Sequence, residues 1–507
     1  MLSMKEEVGL SILFFRGALF LLVIFFVHSI FIDFLPTFLS AYSDQRILMC
    51  TVLIIALAAS LSLLASERIL TRTWPVVPVV FFFLVGGFSG STNSDYAFVE
   101  AIFFAVYFLA LIVVGVLLNA FSLVAPVARF MLILVGLVVA VYSLLTLNVY
   151  LFAIFDGFSA LDDVIPWGFS NIRYWSHAAT WILPLLPAAL HIRSMNRSSL
   201  WRWSIWIGAS VWWWLIFLTV SRGTLISLFL ATFFAFLIFR GALIPWIKTS
   251  LSMIICGLIL WAVCSLLIPE IIFSDTSVRS LKGHDSGRFP MWEEAWVRMS
   301  ESLVFGLGAQ SWLTHEVVTS SYDQARKFAH PHNMFLMWAL EYGWALIVAL
   351  FCLVSVSIKR VWSGRKKQFL NLEVNCRAWP GLVVSAIAGF LHAGVSAVFL
   401  VPSSMMIGFC ILTVFWAGVE QLKRGRSTDR ESNKLICPKI PNSVLILTFI
   451  SVSTLGVLWI SKTLDYYRAS ESDWLYYSEK LGGGHLPRFW FHGNFPRPSS
   501  QMPSSNG

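Results

Sequence analysis

Three short polar motifs interrupt the apolar stretches of this 507-residue sequence, and each contains an arginine or a histidine. The guanidinium group of arginine binds phosphate through a planar fork of N–H donors. The imidazole of histidine can accept a proton near neutral pH. The motifs therefore predict an anion-binding site beside a general base. In chain order they are Ser221-Arg222-Gly223, Gly287-Arg288 with Trp292 and Trp296, and His330-Pro331-His332-Asn333.

The two arginines of these motifs also have simpler interpretations. Arg222 lies between two apolar stretches, where Gly223 permits a tight turn, and its side chain could merely reach from a helix end into water. Arg288 precedes a helix that Pro290 would begin, and it could form a surface salt bridge with a glutamate of that helix. Because an arginine at membrane depth needs an anionic partner or a water-filled cavity, we favour phosphate binding for both.

His332 stands where a long polar loop meets the tenth apolar stretch, and we expect it to cap the next helix and to act as the base. The alternative is a histidine that only bonds to the backbone there. Glu341 lies nine residues further on, about 13 Å deeper along a helix. A carboxylate at that depth must be paired or functional, and the sequence leaves both open. Arg173, four residues before His177, is a weaker third arginine.

The composition excludes a soluble enzyme, a disordered chain and a coiled coil. Apolar residues make up 58% of the chain and charged residues 12%, whereas soluble proteins carry about 25% charged residues. The net charge is 36 − 27 = +9, but the basic residues do not cluster on one water-facing surface, so we expect no nucleic acid partner. The seven cysteines form no CxxC pair, which gives no disulfide framework or zinc site.

No metal or cofactor is expected either. Asp162 and Asp163 could hold a metal ion, but two neighbouring carboxylates in a loop are usually only solvated. The sequence has no Walker or Rossmann glycine loop and no HExxH motif, so nucleotide-driven chemistry has no visible site.

Thirteen apolar stretches are long enough to be considered membrane spans, since a helix needs about 20 residues to cross the bilayer. We therefore predict an all-α polytopic membrane protein with about 12–13 transmembrane helices and one long outward loop that carries short helices. The stretches lie near 10–33, 47–65, 74–91, 97–118, 126–147, 177–192, 203–220, 224–239, 249–268, 333–357, 379–402, 404–421 and 442–461.

The orientation follows from lysine and arginine, which stay in the cytoplasm when loops are short. With the N-terminus inside, more than half of the 36 basic residues fall in cytoplasmic turns, and the three motifs lie on the outer face. The predicted divisions are N-terminal transmembrane helices over 1–165, central transmembrane helices over 166–268, an outward loop over 269–332, C-terminal transmembrane helices over 333–461 and an outward, aromatic tail over 462–507. The resemblance described next implies that the loop is catalytic and that loop and tail are periplasmic.

Taken together, the motifs resemble the O-antigen ligase and polymerase superfamily of bacterial inner membranes. Gly306-Leu307-Gly308, expected to end the helix after Arg288, adds to the resemblance. His332, Asn333 and Gly343 match the ligase motif of the family, and Leu346 departs from its last position, which weakens the ligase relative to its sister enzymes.

The resemblance implies a metal-independent, inverting glycosyltransferase without a cofactor, in the inner membrane with its active site facing the periplasm. The implied donor is a glycan on undecaprenyl pyrophosphate. By this resemblance His332 is the catalytic base, while Arg222, Arg288 and, more weakly, Arg173 bind the pyrophosphate. The supporting residues are Ser221, Gly223, Asn333, Glu341 and Gly343.

The acceptor stays open. The lipid A core, as in lipopolysaccharide biosynthesis, and a protein Ser or Thr, as in pilin O-glycosylation, rank nearly level. An O-antigen or exopolysaccharide polymerase is third. A multi-span transporter or flippase is the alternative of a different class, but it would be expected to show inverted repeats, and we see no internal repeat. Membrane lipid is the remaining expected partner.

Overall fold

The structure, a computed structural model, describes the chain over 4–63, 72–89, 96–169, 171–192, 194–195, 197–273, 287–301, 304–314, 317–322, 328–371, 378–424, 442–480 and 488–490. Parts of the predicted loop 269–332 and of the predicted tail 462–507 lie outside these residues. Throughout the described ranges the secondary structure is helical, with no strand. The predicted all-α polytopic class is therefore confirmed.

Fifteen helices are used below to locate the site. The first five are α1 (Met4–Phe31), α2 (Ala41–Leu63), α3 (Val77–Ser89), α4 (Ala97–Ala120) and α5 (Val124–Phe155). The central ones are α6 (Ile172–Ile182), α7 (Ser199–Leu218), α8 (Arg222–Phe239), α9 (Ile244–Trp261), α10 (Arg288–Met299) and α11 (Ser311–Thr314). The last four are α12 (Met334–Asn371), α13 (Ala378–Ala393), α14 (Pro402–Arg424) and α15 (Asn442–Lys480).

Each of the thirteen predicted stretches coincides with a helix, but fewer qualify as membrane spans by length and composition. Among the described residues eight helical stretches are long and apolar enough to cross a membrane. One of these eight stretches, Arg222–Phe273, contains both α8 and α9. It therefore corresponds to two of the thirteen predicted spans, 224–239 and 249–268. The helices over Trp74–Phe88 and Ala378–Ala393 are apolar but shorter than a bilayer requires.

The burial pattern separates central helices from lipid-facing ones. Helices α4 and α14 are buried along most of their length and pack against each other, whereas α8, α9 and the first half of α15 expose large apolar side chains such as Phe229 and Leu447. Exposed apolar faces of this kind are stable in lipid and unstable in water. The bundle is therefore built around α4 and α14.

Helix α12 is broken at Gly343, whose backbone has φ +84° and ψ 166°. The break frees the carbonyl groups of the preceding turn, and the segment 304–308 satisfies them. The N–H of Leu307 donates to the Leu340 carbonyl at 2.8 Å, and the N–H of Gly308 donates to the Glu341 carbonyl at 2.9 Å. The loop is thereby joined to the membrane bundle at the broken turn.

Two predicted boundaries differ from the structure. The helix after Arg288 ends at Met299, well before Gly306, so the glycine pair does not end it as expected. Gly306 is needed instead for the close backbone contact at the break of α12. The predicted division at 461/462 falls inside α15, which continues to Lys480 because apolar side chains such as Tyr466 still face the bundle there.

Candidate functional site

Each of the four predicted site segments begins a helix. Arg173 is the second residue of α6, Arg222 is the first residue of α8 and Arg288 is the first residue of α10. His332 precedes α12 by two residues. Helix N-termini carry partial positive charge and unsatisfied N–H groups, so they attract anions. Three arginines and four such termini give this part of the molecule a strongly positive character.

Helices α6 and α8 meet through buried hydroxyl groups directly below Arg222. The Thr224 hydroxyl donates to the Ser176 carbonyl at 3.0 Å and lies 3.0 Å from the Thr180 hydroxyl. The Thr180 hydroxyl also lies 2.8 Å from Nδ1 of His392, on α13. A Cβ atom on Gly223 would lie only 2.7 Å from Nε2 of His392, so only glycine fits at this turn.

Helix α10 and the histidine motif are in direct contact. The indole N–H of Trp292 donates to the Pro331 carbonyl at 2.9 Å. His332 follows with φ +53°, a left-handed conformation that costs energy for a residue with a side chain. Such strain is common where a side chain must be held in one functional orientation.

Asn333, rather than His332, caps α12. Its side-chain oxygen accepts hydrogen bonds from the N–H groups of Phe335 at 3.0 Å and Leu336 at 3.1 Å. Asparagine is among the best N-cap residues, which explains why it takes this place. The expected capping role of His332 is therefore wrong. Its imidazole is not used to cap the helix.

The two loop histidines are uncharged. Burial, together with the positive charges of Arg488, Arg173 and Arg288, lowers the pKa of His330 to about 3. Burial also lowers the pKa of His332 well below its ordinary value, helped by His330 and the same Arg173 and Arg288. Arg173 of α6 and Arg288 of α10 both act on the two imidazoles, so the starts of these helices lie on the same side of the molecule as the histidine motif.

Two histidines near the site, His332 and His177, each have a ring nitrogen without a hydrogen-bond partner in the described part of the chain. The backbone N–H of His332 donates to Nδ1 of His330 at 3.0 Å, so the proton of the neutral His330 ring is on Nε2. Nδ1 of His332 is buried and, within the described ranges, has no hydrogen-bond partner. Nδ1 of His177 is in the same condition, while its Nε2 lies 2.7 Å from the Ser396 hydroxyl. These nitrogens can bond to a bound molecule.

Glu341 is paired, which decides between the two alternatives left open by the sequence. The guanidinium group of Arg488 binds both oxygens of the Glu341 carboxylate, with 2.6 Å from Nη1 to Oε1. The same guanidinium donates from Nε to Glu100 of α4 at 2.8 Å. All three side chains are almost completely buried. Glu341 therefore holds the structure together at the broken turn.

Glu294 ties α10 to the rest of the loop. Its buried carboxylate accepts hydrogen bonds from the N–H groups of Val318 at 3.0 Å and Thr319 at 2.8 Å, and from the Thr319 hydroxyl at 2.6 Å. The neighbouring Glu293 accepts one bond from the Ser321 hydroxyl at 2.7 Å. The buried Glu294 therefore positions this part of the loop, whereas the single bond of Glu293 is exposed.

Sequence reasoning missed Arg488 and His392. Arg488 stands in a polar stretch near the end of the chain, far in sequence from its partners. One indication was present, since Glu100 is a lone carboxylate in the apolar stretch 97–118, and such a group needs a cationic partner. His392 lies inside an apolar helix and had no motif around it.

The fold and the site define a multi-pass, all-α membrane protein with candidate residues at converging helix N-termini. Residues 208–351 match a family described as O-antigen ligase, and this match supports the predicted resemblance to the O-antigen ligase/polymerase superfamily. The match includes Arg222, Arg288 and His332 but not Arg173. It supports a glycosyl-transfer function of the ligase or polymerase type. No curated protein gives a significant match.

Proposed function

We propose that the protein transfers a glycan en bloc from undecaprenyl pyrophosphate to an acceptor hydroxyl on the periplasmic side of the inner membrane. The observation that carries the proposal is the grouping of Arg173 and Arg288 with a neutral, strained His332 whose Nδ1 has no partner in the described part of the chain. This combination suits a reaction that needs an anion site and a base next to each other.

In the proposed reaction His332 is the general base. The acceptor oxygen attacks the anomeric carbon of the donor, and its proton passes to Nδ1 of His332. The bond between the anomeric carbon and the pyrophosphate oxygen breaks, and the pyrophosphate leaves with the bonding electrons. Attack from the face opposite to the leaving group inverts the configuration of the sugar. The low pKa of His332 keeps the base unprotonated at neutral pH.

The leaving group is stabilised by cations that are already in place. Arg173 and Arg222 are exposed at the ends of their helices, where they can reach a phosphate in the adjoining water. Arg288 is half-buried at the start of α10. As negative charge builds on the pyrophosphate, these guanidinium groups and the helix N-termini lower the energy of the transition state more than that of the bound donor.

An apolar cavity supports the choice of a lipid-linked donor. It has a volume of about 490 Å³ and lies between α4, α6, α8, α12, α13 and α14. Its wall includes Leu391, next to His392 of the site, and Trp181, one turn beyond His177. We propose that it accommodates part of the isoprenoid chain while the pyrophosphate stays among the arginines. Further lining residues are Phe108, Phe234, Trp338 and Phe399.

Deletion of the gene tests the reaction and identifies the acceptor. Loss of O-chains from lipopolysaccharide, with accumulation of lipid-linked polymer, would identify the lipid A core as the acceptor. Loss of sugar from pilin would identify a protein acceptor, and shortening of the chains to single repeats would identify a polymerase. If the products are lost but the lipid-linked glycan is retained on the cytoplasmic side, the protein is a transporter and the proposal fails. Unchanged products would also contradict the proposal.

A further inference from the structure

Arg488 lies at the centre of a buried ion cluster that joins three distant parts of the chain. Its guanidinium group binds Glu341 of α12 with two nitrogens and Glu100 of α4 with the third. Glu100 also accepts a hydrogen bond from the side-chain amide of Gln310 at 3.1 Å. Two carboxylates thus share one guanidinium away from water, an arrangement that is stable only while the cation is present.

The segment around Arg488 is built into the bundle. The Tyr42 hydroxyl donates to the Arg488 carbonyl at 2.9 Å, and Nε of Arg46 donates to the Phe489 carbonyl at 3.0 Å. The Arg46 guanidinium lies 4.8 Å from the ring centroids of both Phe489 and Phe103. Backbone and side chains of the segment are therefore both fixed by α2 and α4.

A continuous series of contacts leads from Arg488 to the predicted base. Oε1 of Glu341, held by Arg488, accepts a hydrogen bond from the backbone N–H of Trp312 at 3.2 Å. The indole N–H of Trp312 donates to the Phe328 carbonyl at 2.8 Å. The Phe328 ring packs at 5.7 Å, centroid to centroid, from the ring of His332. Each step connects the ion cluster to the loop that holds the imidazole.

We infer that Arg488 is a positioning residue, which holds the loop segments 304–314 and 328–332, and through them His332, in the geometry that the reaction requires. The inference rests on the proposed function for its catalytic part. Its structural part, the anchoring of the loop by a segment from the far end of the chain, stands on the contacts alone. The positive charge of Arg488 also helps to keep His330 neutral, and His330 accepts the N–H bond of His332.

The test compares Arg488→Gln and Arg488→Lys with Arg468→Gln in the full-length protein. Arg468 is a matched control, because it belongs to α15 but its side chain is 78% exposed. Hydrogen–deuterium exchange is measured for peptides that cover 304–314 and 328–336, and kcat and donor KM are measured over a range of pH.

In Arg488→Gln we expect faster exchange in both peptides and a fall in kcat of at least about tenfold, because small displacements of a base are costly. The donor KM should change less than about twofold, since the arginines are still present, and the acidic limb of the pH profile should move to higher pH. Arg488→Lys keeps the charge but loses the planar fork, so it should restore the pH profile and only part of the kcat.

If Arg488→Gln accumulates poorly, the triple variant Glu100→Gln, Glu341→Gln, Arg488→Met removes the three charges of this ion cluster, and its exchange pattern is measured instead. Unchanged exchange in the peptides of 304–314 and 328–336 would overturn the inference. So would an Arg488→Gln protein with normal kcat, or one whose kcat falls without any shift of the pH profile. If the unmodified protein transfers no glycan, the proposed function fails, while the exchange data still decide whether Arg488 anchors the loop.

Discussion

A Cβ atom placed on Gly306 would lie 2.6 Å from the backbone nitrogen of Gly343, so these two glycines lie in direct backbone contact. Both have positive φ, +75° at Gly306 and +84° at Gly343. A Cβ atom on Gly343 would lie 2.0 Å from the Val304 carbonyl oxygen. The pair therefore allows the polar loop to reach the broken turn of α12, next to the ion cluster of Glu341.

Gly343→Ala should separate the loop from α12. Alanine at this φ costs roughly 1–3 kcal/mol, and the overlap with Val304 adds to that cost. We expect a lower Tm in detergent and a large loss of transfer activity. Gly17→Ala is the control, because a Cβ atom there meets nothing within 4 Å. Equal Tm values for the two variants would show that the contact does not hold the loop.

Glu294→Gln should loosen the loop locally without unfolding the bundle. The amide has one acceptor oxygen in place of two, so one of the N–H groups of Val318 and Thr319 loses its acceptor. An unsatisfied buried N–H group lowers the free energy of unfolding by about 1–3 kcal/mol. Limited proteolysis between 300 and 330 should become faster. Glu293→Gln, next to it and more exposed, should leave the cleavage rate unchanged. Similar rates for Glu294→Gln and the unmodified protein would contradict the assigned role.

Arg288→Lys should weaken transition-state stabilisation. Lysine keeps the charge but cannot offer two parallel N–H groups to a phosphate, so we expect kcat/KM for the lipid-linked donor to fall by about 10²-fold. Arg298→Lys is the control on the same helix, where Arg298 only pairs with Glu301 at 2.6 Å. Steady-state assays with both variants are compared. Normal kinetics of Arg288→Lys would remove this residue from the anion site.

The stability of the loop should fall as the pH falls. The pKa of His330 is about 3 in the folded protein and near 6.5 in the unfolded chain, so between these values the unfolded chain binds more protons. The contribution of His330 to the free energy of unfolding is fully present above about pH 7 and decreases continuously from about pH 6.5 towards pH 3. Thermal unfolding at pH 7.5, 6.0 and 4.5 measures this, and His330→Gln should flatten the slope. A steeper slope in that variant would contradict the prediction.

The helices and the site segments could be predicted because they depend on local sequence. Apolar runs of sufficient length identified the spans, and Arg222, Arg288 and His332 stood out as polar groups between them. Pro290 indicated a helix at this place, but α10 begins two residues earlier, at Arg288. The capping of α12 was assigned to the wrong neighbour, because Asn333 competes with His332 for the same turn and has the shorter, better-suited side chain.

The long-range partners could not be predicted. Glu341 demanded a cation, but several arginines were candidates, and the residue that binds it is 147 positions away. Likewise, the contact of Gly223 with His392 depends on how α8 packs against α13. A periodic pattern indicates which face of a helix is buried, but not which helix will cover it. Pairings of this kind require the tertiary structure.

The most direct measurement is the rate of glycan transfer by His332→Gln, with purified protein, a defined lipid-linked donor and an acceptor hydroxyl. Glutamine keeps a polar side chain of similar reach but cannot take a proton, so kcat should fall by at least about 10²-fold while donor binding stays normal. His191→Gln, beyond the other end of α6, should transfer at the normal rate. Full activity of His332→Gln would contradict the role of His332 as the base.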